Sequence, residues 1–146
     1  MSYKFQDNVT MADVAFEANG STIEELFVSA AEATTCSMVD KLESVMAKKK
    51  VKVELKAANV EQLLQDFLQE LIFYKDAKQM LFSKYEIEIV QEGKKGEWKL
   101  IGKLCGEKLD PKKHALITDV KAVSWHKFGV KQEKKGSWKA FVILDV

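Results

Sequence analysis

Two stretches of this sequence repeat their apolar residues at helical spacing, and almost everything else alternates at period two. In the first, Ile23, Leu26, Phe27, Ala30 and Ala31 form one stripe; in the second, Val60, Leu63, Leu64, Phe67, Leu68, Leu71 and Ile72 do. Residues three and four apart share a helix face, whereas residues two apart share a strand face. A helix with a single apolar stripe has to cover something. Two such helices laid on a mostly antiparallel sheet make an α+β fold, and 146 residues at 47% hydrophobic content suffice for one domain over 1–146 with its own core.

Local signals punctuate these elements. Gly20 supplies a turn before overlapping capping boxes, Ser21 with Glu24 or Thr22 with Glu25, and Asn59 with Gln62 opens the second helix. Alternation marks strands at Tyr3–Phe5, at Ala12–Ala18 with Asp13 facing away from Val14 and Phe16, and at "KVKVELKA" with Val51, Val53, Leu55 and Ala57 inward. After the second helix come "YEIEIV", a "GKKG" turn, "EWKLIGKLCGE", a turn at Asp110 and Pro111, the stretch His114–His126, and "WKAFVILDV". The order is β-β-α-β-α followed by a meander, with both helices on one sheet face and the closing strand central because both of its faces are apolar. Trp98, Trp125 and Trp138 read as core or sheet-face aromatics, and His114 as a turn residue.

Charge and composition narrow the function. With 23 basic and 22 acidic residues the net charge is +1, so no global field draws the chain to nucleic acid or membrane. Every basic residue is lysine, which lacks the planar fork that grips guanine or phosphate in two places, so direct nucleic-acid binding is expected to be weak or absent. Cys36 and Cys105 have no zinc-ligand spacing, and the amino terminus has no apolar leader, which points to a cytoplasmic protein. Phosphate loops, nucleophile elbows and His-Glu-x-x-His are missing from a sequence with two histidines, so a binding or regulatory protein outranks an enzyme. A metal-dependent phosphoesterase is the third choice, favoured only by the acids described next.

Asp145 and the main-chain carboxylate of Val146 place two negative charges on adjacent residues. If the strand bearing Asp13 lies beside the closing strand, three acidic groups converge, and oxygen-only ligands of that kind suit a hard cation, calcium first, with magnesium or manganese as alternatives. In the stretch "HALITDVKAVSWH", read as a strand, Asp119 and Lys121 interrupt an otherwise apolar face. Lys121 is then the counter-charge at the rim of the acidic site, with Asp119 and His126 in supporting places.

Three segments together resemble the archease family: "ADVAFEANGSTIEELFVSAAEA", "DVKAVSWH" and the terminal "ILDV", with "LLQDFLQELIFYKDAKQMLFSKYEIEI" extending the likeness over the whole chain. The resemblance implies an α+β fold, a divalent-metal site at Asp13, Asp145 and Val146, and a non-enzymatic protein that activates the tRNA-splicing RNA ligase by promoting guanylylation of the ligase and its turnover. It ties Lys121 to that activation. Its alternative is a chaperone or modulator of another RNA-processing enzyme, such as a tRNA methyltransferase. The family reads His-Thr-Ala-Asp where this chain has Thr10, Met11, Ala12 and Asp13, and Ser124 and Trp125 replace a Thr and a Tyr.

Overall fold

The computed structural model describes residues 2–6, 13–93 and 96–146. In chain order the elements are β1 (Ser2–Gln6), β2 (Asp13–Gly20), α1 (Ile23–Cys36), a 3-10 turn at Leu42–Ser44, β3 (Lys49–Ala57), α2 (Val60–Lys78), β4 (Met80–Gln91), β5 (Trp98–Lys108), β6 (Ala122–Gln132) and β7 (Trp138–Asp145). This is the expected order, in an α+β fold. Thr10, Met11 and Ala12, and Lys94 and Lys95 of the expected "GKKG" turn, lie outside the described residues.

Both helices start where their caps place them. Of the two possible boxes it is Thr22 with Glu25 that forms: Thr22 Oγ1 accepts from the Glu25 N–H at 3.1 Å, while a Glu25 carboxylate oxygen accepts from the Ser21 and Thr22 N–H groups. The turn from β2 into α1 passes so close to the helix that a Cβ on Gly20 would lie 2.5 Å from the Leu26 nitrogen, so only glycine fits there. Asn59 accepts from the Gln62 N–H at 2.8 Å, but Gln62 turns its own amide to Asp66 rather than back to the cap. The predicted stripe of α2 is buried throughout, and in α1 Leu26, Phe27, Ala30 and Ala31 are fully buried. The stripes meet at Phe27 and Phe67, 5.7 Å between ring centroids, with Tyr85 of β4 edge-on to Phe67.

Instead of one large sheet there are two, in the orders β1-β2-β7-β6 and β3-β5-β4, with every neighbouring pair antiparallel. Period-two patterning says which face is buried but not which strand a neighbour chooses, so the division was not visible in the alternation. β7 is central as expected, between β2 and β6. Helix side chains reach the outer strands of both sheets: Glu24 of α1 accepts from the Ile89 N–H of β4, and Gln69 of α2 accepts from the Val123 N–H of β6.

His114–His126 is not one strand. Its β-ladder begins only at Ala122, opposite Asp145, because β7 ends there and supplies no earlier partner. Residues 115–117 instead touch the chain after α1, through the bridge Val39–Leu116 and the bonds Asp40 N–H to Ala115 O and Ile117 N–H to Met38 O. Farther along, Trp125, His126, Lys127 and Phe128 bulge out between the rungs Ser124–Ile143 and Gly129–Phe141, with Lys127 at φ 57°. Trp125 is therefore not a core aromatic; it is exposed and lies edge-on to Phe128, while Trp98 and Trp138 pack against one another.

Candidate cation and partner site

β2 and β7 run side by side in a register that sets Asp13 directly opposite Asp145. Val14, Phe16 and Ala18 point into the core, as do Val142 and Leu144, so the odd-numbered Asp13 and Asp145 share the opposite face. Directly opposed side chains in an antiparallel pair have Cβ atoms about 4.5–5.5 Å apart, and like charges in that position repel. The next rung on the same face is Ala15 with Ile143, both fully buried, so the acids border an apolar floor. The third strand begins at the same rung: Ala122 lies opposite Asp145 on the far side of β7, and the Lys121 N–H donates to the Asp145 carbonyl at 2.8 Å. Val146, next in the chain after Asp145, packs its side chain against the core.

Among the described residues the groups at this rung offer oxygen, and carboxylate with main-chain oxygen is what a hard cation takes. Among the described residues no group of three or more His, Cys, Asp or Glu side chains could hold a metal. A cation between Asp13 and Asp145 could draw further oxygen from the main chain of Val146 and from water. Such a donor set fits calcium or magnesium better than zinc.

Asp119 does not hold Lys121 in place by hydrogen bonding. Its partner is Lys75 of α2, whose ammonium lies 2.5 Å from the Asp119 carboxylate, 2.7 Å from the Val120 carbonyl and 2.9 Å from Asp76. The Lys75 hydrogen bond and charge hold the Asp119 carboxyl below the usual carboxylate range, against the opposing effect of desolvation and with a lesser contribution from the charge of Lys121. Lys75 is only 8% exposed and was missed, although it sits three, four and seven residues beyond Ile72, Leu71 and Leu68 and so continues the buried stripe. A lysine on an apolar stripe is the signal that could have found it. Lys121 itself is exposed beside the acidic rung. His126 lies in the bulge, beyond the Ser124–Ile143 rung, with its N–H donating to Ser124 Oγ.

His114 closes the turn that begins at Asp110, as expected, but the turn is not at the surface there. The histidine is 1% exposed, and its Nδ1 accepts from the Asp110 N–H at 2.9 Å, which leaves the proton on Nε2 to donate to Glu107 at 3.1 Å. Glu107 also accepts from Lys113 at 2.7 Å and from the Met46 N–H, and these donors bring its carboxyl down to about 2 against the opposing effect of burial. With both ring nitrogens engaged, His114 fastens the loop after β5 and has no lone pair free for a substrate.

A model of the Archease protein family (MTH1598/TM1083) matches residues 3–146. Among curated relatives, Protein archease of Methanopyrus kandleri is 38% identical over 136 residues, 92% of this chain and 94% of its own length. Protein archease of Pyrococcus furiosus is 32% identical over 135 residues, 92% and 93% of the two chains. Among solved structures, the solution structure of Methanobacterium thermoautotrophicum protein 1598 superposes with a TM-score of 0.78 at 32% identity, covering 99% of this chain and 98% of that one.

Proposed function

The chain belongs to the archease family, and on that footing we propose that it is a cytoplasmic accessory protein, not itself an enzyme, that activates the tRNA-splicing RNA ligase. The observation that carries this reading is the rung that opposes Asp13 to Asp145, with Lys121 hydrogen-bonded through its amide to the same residue. Asp13, Asp145 and the main-chain oxygens of Val146 would hold a divalent cation, calcium before magnesium or manganese. When bound, such an ion supplies positive charge that offsets the repulsion between two directly opposed carboxylates.

The residues of this chain then do two things. Asp13 and Asp145 form an acidic edge at the ends of β2 and β7, and Lys121, the exposed residue before β6, is tied to that edge through its amide and stands where the ligase would meet it. Activation follows if this edge binds a guanylylation-competent ligase conformation more tightly than the resting one, since an effector shifts an equilibrium only by its differential affinity. An accessory role also suits His114, which is buried with both ring nitrogens bonded. The test is Asp145→Ala and Lys121→Ala in a ligase guanylylation assay with GTP. Loss of stimulation with an unchanged circular dichroism spectrum is expected, and full stimulation by either variant would remove that residue from the mechanism.

A further inference from the structure

Three consecutive apolar residues, Ala115, Leu116 and Ile117, are exposed in the loop that leads to Asp119, with Leu116 at 50% and Ile117 at 58%. They are not there because the loop is loose: the Ala115 carbonyl and the Ile117 N–H are both bonded to the chain after α1. Leu116 and Ile117 line a concavity of about 540 Å³ whose other apolar walls are Met38, Leu109 and Pro111. Its polar rim is Lys75, Asp76, Gln79, Thr118 and Asp119. Lys75 is buried between the two acids, whereas the carboxylates of Asp76 and Asp119 are 56% and 71% exposed, so the rim presents two acids and one sequestered cation.

We propose that this groove is the docking surface for the protein partner of the acidic edge, and that it takes a segment with an apolar side chain followed by lysine or arginine. The inference rests on the reading of Asp13, Asp145 and Lys121 as the partner-facing site. Two arguments choose the occupant. Exposed apolar walls with well-fixed backbone are what a hot spot offers to a leucine or aromatic anchor. The exposed Asp76 and Asp119 carboxylates complement a basic residue and repel phosphate, which disfavours RNA as the ligand. The groove and the acidic edge are also joined along the chain: Asp119 on the groove is two residues from Lys121, whose amide is bonded to Asp145. One partner can therefore engage both.

Two measurements test it. In the first, the isotope-labelled protein is titrated with acetyl-Leu-Phe-Lys-Lys-amide, with acetyl-Leu-Phe-Glu-Glu-amide and with a uridine decanucleotide, and amide shifts are followed by NMR. Shifts at Met38, Asp76, Leu109 and residues 116–119 with the basic peptide alone support the proposal. Shifts elsewhere, no shifts, an equal response to the acidic peptide, or binding of the oligonucleotide in the groove overturn it. In the second, Leu116→Ser/Ile117→Ser is compared with Asp145→Ala and with Ile101→Ser, an exposed apolar control on the other sheet, for affinity to the purified ligase and for its guanylylation. Loss of two hot-spot anchors is expected to weaken ligase binding at least about thirtyfold, with Ile101→Ser unchanged. If Asp145→Ala abolishes stimulation while the double variant binds and stimulates normally, the groove is refuted and the function stands. If the wild type neither binds nor stimulates the ligase, the function falls and the peptide titration alone decides the groove.

Discussion

Replacing Lys75 by methionine isolates the one buried charge that ties α2 to the segment carrying Asp119 and Lys121. Methionine keeps the volume and the apolar stem, so packing should change little. The losses are then those of the ammonium. Asp76 and Asp119 are mostly solvated, and pairs with such partners contribute about 0–1 kcal/mol each. The Val120 carbonyl is different: Val120 is fully buried, and its oxygen gives up a charge-assisted bond. Leaving a buried acceptor unpaired costs about 1–3 kcal/mol. Together Lys75→Met should destabilise the protein by about 2 kcal/mol, lowering a urea midpoint by about 1 M and the melting temperature by about 4–8 °C for a chain of this size. Asp119→Asn should cost less than about 1 kcal/mol, because its side chain can be rehydrated. Buried ions replaced by apolar residues are sometimes neutral or stabilising. A Lys75→Met midpoint equal to or above the wild type, or a larger loss from Asp119→Asn, would refute the assignment of the Val120 carbonyl as the main anchor.

Calcium at a hundredfold excess over its dissociation constant should stabilise the protein by about 2.7 kcal/mol, a rise of about 5–10 °C by differential scanning fluorimetry, and Asp13→Asn/Asp145→Asn should show none; an equal rise in that variant places the ion elsewhere. Acid should unfold the protein partly through Glu107: its folded carboxyl is at about 2 against an ordinary value of 4.5, so its stabilisation is complete above about 4.5 and is lost as pH falls from there towards 2. Glu107→Gln should therefore lower stability at neutral pH and flatten its dependence on pH between about 4.5 and 2, as read from urea midpoints; an unchanged slope would show that other carboxylates govern the acid limb.

The helices and the inward faces of β2 and β7 were readable from the sequence because each depends on spacing within one segment. Asp13 and Asp145 followed from the same alternation, which puts both on the face away from Phe16 and Leu144. What periodicity could not supply was the length of a partner: residues 115–121 read as strand despite the interruption at Asp119 and Lys121, but β7 stops at Asp145 and leaves them without a ladder. The four-residue bulge at Trp125–Phe128 was hidden for a related reason, since Gly129 resumes pairing after an interval that only the opposite strand defines. Lys75 was missed, and the burial of His114 was not foreseen, because the partners of neither follow from spacing within one segment. Both are buried because carboxylates and main-chain groups from distant segments satisfy them.

Two bonds from the helices to the sheets have a wider meaning. Glu24 takes up an amide on the rim of one sheet, and Gln69 takes up an amide on the rim of the other. Exposed rows of unpaired amides invite a neighbouring molecule to add its own strand, the first step towards fibres. By stoppering one such position on each rim, the helices help a chain rich in long strands to stay dispersed when it is crowded.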